Sequence, residues 1–377
     1  MRRERPDLRL LDKPSVASFR RHEVAVPSGP RTAPARQAFL RGVLQTFDAL
    51  QRPPHFLLSH SNEVPSHQAV LELKRRHPEL PWVAYFGDVV GRNPYVRHFA
   101  EYPLFAEDAE IERETLALAD VVICNNEHQR ALMLEGVPEA ASRTVVVPHC
   151  FVAAWYPPPP PRDDSRFTFM HLGTLYPVKR RALPVLRAVD LLCEVYPHVK
   201  DTFRVVFVGD DVPEADLGAW RALRHKNLVE FWPGVPYLDS LSLMQLADVL
   251  VVIDGLFDEL PRSPYLPGKI TDFLGAARPL LALTMRQGPT ADVLRARGEP
   301  LCDDDPERVA FVMKRHLDGR VFSDASTSAW YRAELVGAAM ETCFRAAIVG
   351  PEGVARLPAL LRRLFDGVRG ATGGASR

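Results

Sequence analysis

The sequence predicts an α/β protein built as two doubly wound halves facing across a cleft. Three observations carry this. Short apolar runs of strand length alternate with helix-length amphipathic runs along most of the chain, the pattern of parallel βαβ units. Five consecutive prolines at 157–161 interrupt that alternation, and it resumes after them. The 377 residues also exceed the roughly 250–300 that one hydrophobic core organises.

Arginine, proline and small residues dominate the first part of the chain until AFLRGVLQTFDAL (38–50), whose apolar spacing is helical. HFLLSHS (55–61) reads as a strand and SHQAVLELKRRH (66–77) as a helix with Ser66 as its N-cap. PWVAYFGD (81–88) is a strand running into the loop VVGRNPY; DAEIERETLALA (108–119) is a helix and DVVICNN (120–126) a strand. EHQRALMLEG is a short helix and RTVVVPH (143–149) a strand. The proline run cannot enter a helix or a central strand and favours a stiff linker. Its position between two α/β patterns argues for that role over a ligand for a signalling domain.

Beyond it come the strand RFTFMHLG (166–173), a helix at 181–196, the strand FRVVFVG (203–209), the short strand LVEFWPGV (228–235), a helix at 238–247 and the strand DVLVVID (248–254). A further helix, the strand PLLALT, helices at 289–297 and 306–317, and a wholly helical stretch at 328–365 complete the series, with GVRGATGGASR read as an irregular tail. The expected division is 1–156, a linker at 157–162, 163–327, and C-terminal helices with the tail at 328–377. Ligands of such sheets bind at the carboxyl ends of the strands.

Composition narrows the function classes. The formal net charge is zero, which argues against a dedicated nucleic-acid binder. No apolar run reaches the roughly 18–20 residues of a membrane span. The first residues lack a secretory apolar core, and Cys124, Cys150, Cys193, Cys302 and Cys343 are scattered without a CxxC pair. A cytoplasmic protein with reduced thiols is expected.

The most informative segment is SPYLPGKITDFLGAARPLLAL (263–283). A proline- and glycine-punctuated loop delivers Lys269 to the mouth of a helix, where a cation and free N–H groups suit a phosphate. Asp272 follows in the first turns, where a carboxylate can accept from a sugar diol; complementing the helix dipole is the plainer role for the same acid. Lys179 and Arg180, with Arg181 behind them, follow the glycine loop HLGTLYPVKRR at an expected helix start and are candidates to stabilise a departing diphosphate. Asp88 ends a strand and is a candidate contact to an acceptor or to the transferred sugar, with an Asx turn as the alternative; His60 and Asn62 end another strand, and His149 is read as part of the hinge. The run Asp303–Asp304–Asp305 precedes Pro306 and a helix, so capping is preferred to metal binding, and Asp210–Asp211 is likewise not read as a metal pair.

Four elements, in order, resemble the donor domain of GT-B-type glycosyltransferases, in particular the family 4-like bacterial nucleotide-sugar transferases: HLGTLYPVKRR, VVFVGDD, VEFWPGVPYLDSLSLMQLADVLVVID and SPYLPGKITDFLGAARPLLAL. HFLLSHSN, ELPWVAYFGDVVGRNPY, LALADVVICNN and VVVPHCF follow the acceptor-domain order more loosely. The resemblance implies two Rossmann-like domains and transfer of a sugar, with retention, from a nucleotide-diphosphate sugar to a glycan, lipid-linked or small-molecule acceptor in glycan or cell-envelope polysaccharide synthesis. It places Gly173, Thr174, Gly234, Lys269, Ile270 and Asp272 at the donor, with Lys179, Arg180 and Asp88 as catalytic candidates. It implies no cofactor, no metal and no nucleic acid. The protein is expected in the cytoplasm, with the inner face of the membrane as an option that Arg2, Arg3, Arg5, Leu8, Leu10 and Leu11 could serve.

The sequence departs from the family pattern at four places. No opening strand with a glycine-rich loop precedes Ala38; Thr174 stands where an arginine often follows the glycine; Gly87 stands before Asp88 where a histidine often does; and Pro264 occupies the first position of the paired-acid motif, whose second is Asp272. These departures motivate the alternative of a catalytically idle relative that binds a nucleotide sugar or partners another transferase. A sugar-nucleotide epimerase shares the architecture but needs more acids and histidines than the strand ends offer.

Overall fold

The computed structural model describes residues 32–61, 64–93, 105–158, 161 and 166–372. Asn62, the basic N-terminal segment and residues 373–377 lie outside the described residues. The chain forms two α/β units, one from residues 32–149 with 334–372, the other from residues 150–333. The first division thus falls ahead of the proline run, and the C-terminal helices return to the first unit. Proline marks where the chain is stiff, whereas a unit is defined by shared apolar burial.

The first unit opens with α1 (Ala33–Asp48), capped by Thr32, whose hydroxyl accepts from the Ala35 N–H at 3.4 Å. Then come β1 (Leu57–Ser61), α2 (Pro65–Arg76), β2 (Trp82–Phe86), α3 (Phe105–Leu118), β3 (Val121–Cys124), α4 (Glu127–Leu134) and β4 (Thr144–Val146). The four strands pair in parallel in chain order, with Leu57 opposite Trp82, Val83 opposite Val121 and Val122 opposite Thr144. Every residue of β2 and β3 is buried, which is why both read as unbroken apolar runs. Ser66 is not a cap: the α2 N-cap is Val64, with Pro65 leading the helix and no side-chain cap. Pro at the first position needs no N–H partner. Arg36 of α1 donates to Asp108 of α3 at 2.9 Å, and both are buried.

The second unit runs β5 (Phe167–Leu172), α5 (Leu183–Val195), β6 (Phe203–Val208), α6 (Glu214–Arg221), β7 (Val229–Trp232), α7 (Tyr237–Met244), β8 (Val249–Ile253), α8 (Gly268–Gly275), β9 (Leu280–Leu283), α9 (Pro289–Ala296), β10 (Leu301–Cys302) and α10 (Pro306–Leu317). Its parallel sheet has the order β7-β6-β5-β8-β9-β10. Chain direction across the sheet therefore reverses between β5 and β8, the switch point at which doubly wound sheets bind ligands. Val185, Leu186, Val189 and Leu192 of α5 pack with Val309 and Met313 of α10 on one face. Leu241 and Met244 of α7 pack with Ile270, Phe273 and Leu274 of α8 on the other. Helix α6 and the two-residue β10 were not expected from the sequence; both are short and lean on the unit's core for stability.

The chain then returns to the first unit through α11 (Ala333–Val349) and α12 (Pro351–Thr372). Val336, Ala339, Cys343 and Leu357 of these helices cover the sheet face made by Val83, Tyr85, Val121 and Ile123. The expected irregular tail is helical as far as Thr372, and the expected continuous helix breaks at Gly350, which has φ 86°. Among the described residues no helix is long and apolar enough to cross a membrane.

Candidate functional site

The carboxyl ends of β5 and β8 bring together side chains far apart in sequence. Gly173 follows β5 with φ 124°, a conformation that glycine alone adopts readily. A Cβ there would lie 2.6 Å from Lys269 Nζ. The lysine amine therefore rests against bare backbone at the strand end, and only a residue without a side chain leaves it that room. Lys269 is the second residue of α8, whose N-terminus has no side-chain cap, so the helix dipole favours an anion at the same place.

His171, one strand position before Leu172, is buried. Its Nδ1 lies 2.9 Å from the Val251 carbonyl oxygen. A carbonyl only accepts, so Nδ1 carries the proton and Nε2 is the lone-pair nitrogen. Burial, reinforced by the charges of Lys269 and Arg180, holds its pKa well below the usual histidine value. Asp254, directly after β8, accepts from Thr290 Oγ1 at 2.9 Å and Thr284 Oγ1 at 3.3 Å. Burial raises its pKa, while the positive charge of Arg180 opposes that rise.

Arg180 and Lys179 are not at a helix start. Tyr176 N–H donates to the Arg180 carbonyl at 2.9 Å, closing a tight turn, and α5 begins only at Leu183. The Arg180 guanidinium lies 5.2 Å from the Tyr176 ring centroid. Lys179 Nζ lies 3.6 Å from Glu259 Oε2 and 5.5 Å from the Phe257 ring centroid. Arg181 has a structural partner: it donates to Asp216 at 2.9 Å, and the same carboxylate accepts from the Leu183 N–H that opens α5.

Asp272 is engaged by tyrosine. It accepts from the Tyr237 hydroxyl at 2.8 Å, while the Tyr156 hydroxyl donates to the Asp272 carbonyl at 2.8 Å. Burial pushes its pKa up to about 6, against the lowering effect of the Tyr237 hydrogen bond. Thr174 is half-buried beside Gly173. Ile270 is wholly buried in the core, so only its backbone could face a ligand. Gly234 donates its N–H to Asp210 at 3.0 Å, which gives Asp210 a structural task. Asp305 caps α10 by accepting from the Glu307 N–H at 3.1 Å. With Asp210 and Asp305 so engaged, any ligand binding at this site is expected to survive EDTA; loss of binding on chelation would return the acidic runs to a metal role.

In the first unit, polar side chains gather at and just beyond the carboxyl ends of the strands. His60 stacks on Tyr85 with 4.6 Å between ring centroids. The Tyr85 hydroxyl lies 3.2 Å from His149 Nδ1, and Asn125 Nδ2 lies 3.1 Å from His149 Nε2. Asp88 is half-buried in the turn after β2. That turn is gripped by buried Glu112, which accepts from the Val90 and Gly91 N–H groups at 2.6 and 3.2 Å. Sequence reasoning singled out Asp88, His60 and His149 but not Asn125 or Glu112. In the second unit it passed over His171, Asp254 and Tyr237. A polar residue inside an apolar strand run, as in FTFMHLG, was the visible signal for His171.

No family model matches the chain, and no curated protein matches it. Solved structures do. Sucrose-phosphate synthase from Thermosynechococcus elongatus is 17% identical, with 91% of this chain and 83% of that one covered and a TM-score of 0.57. A UDP-forming α,α-trehalose-phosphate synthase from Burkholderia xenovorans is 12% identical, with 90% and 80% covered and a TM-score of 0.55. A Listeria monocytogenes protein described as a UDP-N-acetylglucosamine 2-epimerase is 12% identical, with 86% and 82% covered and a TM-score of 0.57. The shared fold is the GT-B architecture of two α/β units, each built on a parallel sheet, of which only the second reverses its strand order.

Proposed function

We propose that the protein is a glycosyltransferase that takes a sugar from a nucleotide-diphosphate sugar held by the second unit. The first unit would present the acceptor, and Asp88 would contact it or the transferred sugar. The observation that carries the reading is Lys269 seated against Gly173 at the β5/β8 switch point. Two of the solved structures above are named as synthases of sugar phosphates, one of them UDP-forming, which supports the reading.

In this reading Lys269, the α8 N-terminus and the Gly173–Thr174 backbone hold the diphosphate. Lys179 and Arg180, on the turn after Gly173, meet the charge that builds on it as the bond to the sugar breaks. Asp272 accepts from the nucleotide ribose, and Gly234 and the Ile270 backbone line the nucleotide. The chemistry retains configuration at the anomeric carbon and serves glycan or cell-envelope polysaccharide synthesis in the cytoplasm or at its membrane face. The acceptor is a glycan, a lipid-linked sugar or a small molecule.

The test is a thermal-shift screen of nucleotide-diphosphate sugars followed by assay of donor hydrolysis. A ligand at about 100 times its Kd adds about 2.7 kcal/mol of stability. Slow hydrolysis of the true donor is expected without acceptor, because polarisation of the leaving group does not need one. Tight binding with neither hydrolysis nor transfer across a broad acceptor panel would favour the second reading, a catalytically idle nucleotide-sugar binder. The observation behind that reading is Pro264, buried where the family pattern has an acid.

Asp272 gives the site a pH signature. Its pKa of about 6 lies above the ordinary aspartate value. The native protein thus binds this proton more tightly than the unfolded chain. Its contribution to stability is full below about pH 4 and is lost as pH rises through about 6. Nucleotide affinity has the opposite sign: the ribose needs the ionised carboxylate, so affinity is present above pH 6 and falls as pH drops through it. Asp272→Asn should weaken binding about tenfold at pH 7.5 and flatten the pH dependence. A mutant with wild-type affinity and an unchanged profile would remove Asp272 from the site.

A further inference from the structure

We propose that Asn125 is a positioning residue of the first unit: its carboxamide sets the tautomer of His149 and anchors the turn that carries Asp88. The inference rests on the transfer reading only for the use of Asp88; the hydrogen-bond argument stands without it.

Asn125 follows β3 and is 1% exposed. Its amide nitrogen donates to the Gly87 carbonyl. A carbonyl oxygen can only accept, so the nitrogen, not the oxygen, of this carboxamide faces that way. The amide oxygen faces the Asn126 amide nitrogen, which donates to it. The orientation is therefore determined at both ends. The same Asn125 nitrogen lies 3.1 Å from His149 Nε2, so Nε2 must accept and carries no proton. Nδ1 then holds the ring proton and donates to the Tyr85 hydroxyl oxygen at 3.2 Å. Three strand ends are tied by one side chain: Gly87 after β2, Asn125 after β3, and His149 after β4.

The surroundings agree. His149 has its pKa pushed down to about 4, first by burial and then by the nearby His60. It is neutral at physiological pH, as an Nε2 acceptor must be. Asn125 is itself held: its backbone N–H donates to Gln129 Oε1 at 2.8 Å, and Gln129 Nε2 donates to the Phe86 carbonyl at 3.1 Å. The other end of the Asp88 turn is gripped by Glu112. A turn fastened at both ends by buried groups presents its carboxylate in one geometry, and that rigidity is what positioning a reactant requires.

The experiment is nitrogen NMR of the full chain labelled at histidine, with His149 assigned by the loss of its signals in His149→Gln. In the wild type, His149 should be neutral across pH 5–8 with Nδ1 protonated. Asn125→Asp replaces the donor with an acceptor, so His149 should move its proton to Nε2 or become charged above pH 6. Asn125→Ser, which keeps a smaller donor, guards against a failure of the aspartate variant to fold; it should weaken the tautomer preference without reversing it. Kinetically, Asn125→Asp should lower kcat for transfer about tenfold or more while leaving nucleotide affinity on the other unit within about twofold. An Nε2-protonated His149 in the wild type, or an unchanged His149 pattern in Asn125→Asp, would overturn the inference whatever the activity. So would a wild-type kcat in a variant whose tautomer has switched. Failure of the transfer reading would show instead in the wild type, as binding without hydrolysis or transfer.

Discussion

Arg297→Ala is expected to destabilise the second unit by about 3–5 kcal/mol, the cost of leaving one partner of a buried ion pair uncompensated. Arg297 and Glu299 are both fully buried. The guanidinium donates to Glu299 at 3.0 Å, to the Arg278 carbonyl at 3.0 Å and to Ser323 Oγ at 2.6 Å. Glu299 in turn accepts from the Leu280 N–H at 3.0 Å, so the pair ties the turn after α9 to the start of β9. Removing the arginine leaves a carboxylate in the interior with no cation. Denaturant unfolding should show the loss, and the double variant Arg297→Met with Glu299→Gln should recover part of it. A single variant within 1 kcal/mol of the wild type would mean that water reaches the carboxylate.

Lys269→Ala should weaken binding of a nucleoside diphosphate by about 1.5–3 kcal/mol, the range of a hydrogen bond to a charged group. That corresponds to roughly 10–150-fold in affinity. Gly173→Ala should act in the same direction by another route: its Cβ would meet the Lys269 amine at 2.6 Å and would sit at φ 124°, displacing the cation without removing it. Calorimetry on folded variants decides the matter. Unchanged affinity in Lys269→Ala would end the phosphate assignment, and unchanged affinity in Gly173→Ala alone would show that the amine has another route to the ligand.

Much of the fold was legible because its strands are buried on both faces. VVIC and VLVVI are unbroken apolar runs, and each occupies a fully buried strand. Boundaries were less legible. Val64, not Ser66, caps α2, because Pro65 starts a helix without needing a side-chain cap. Residues 367–372, the last turns of α12, read as an irregular tail because glycine-rich local composition argues against a helix; the buried face of α12, at Leu357 and Leu361, lies in the part whose helical spacing the sequence shows, and it packs on a sheet over 200 residues earlier in the chain.

For the candidate site, local sequence by itself determined the chemistry on offer: a lysine at a helix mouth, an acid three residues on, a glycine at a strand end and a basic run after it, which was misplaced at a helix start. These follow from spacing within one segment, which periodicity and capping rules can read. Only the tertiary structure decided which of them meet. Lys269 rests on Gly173, although 96 residues separate them in the numbering, because parallel pairing brings β5 beside β8 at the switch point. Asp272 instead faces Tyr237, Arg181 is taken up by Asp216, and Asn125 reaches both Gly87 and His149. Partners of this kind come from different strands, and their proximity is set by sheet order and register, which no local pattern encodes.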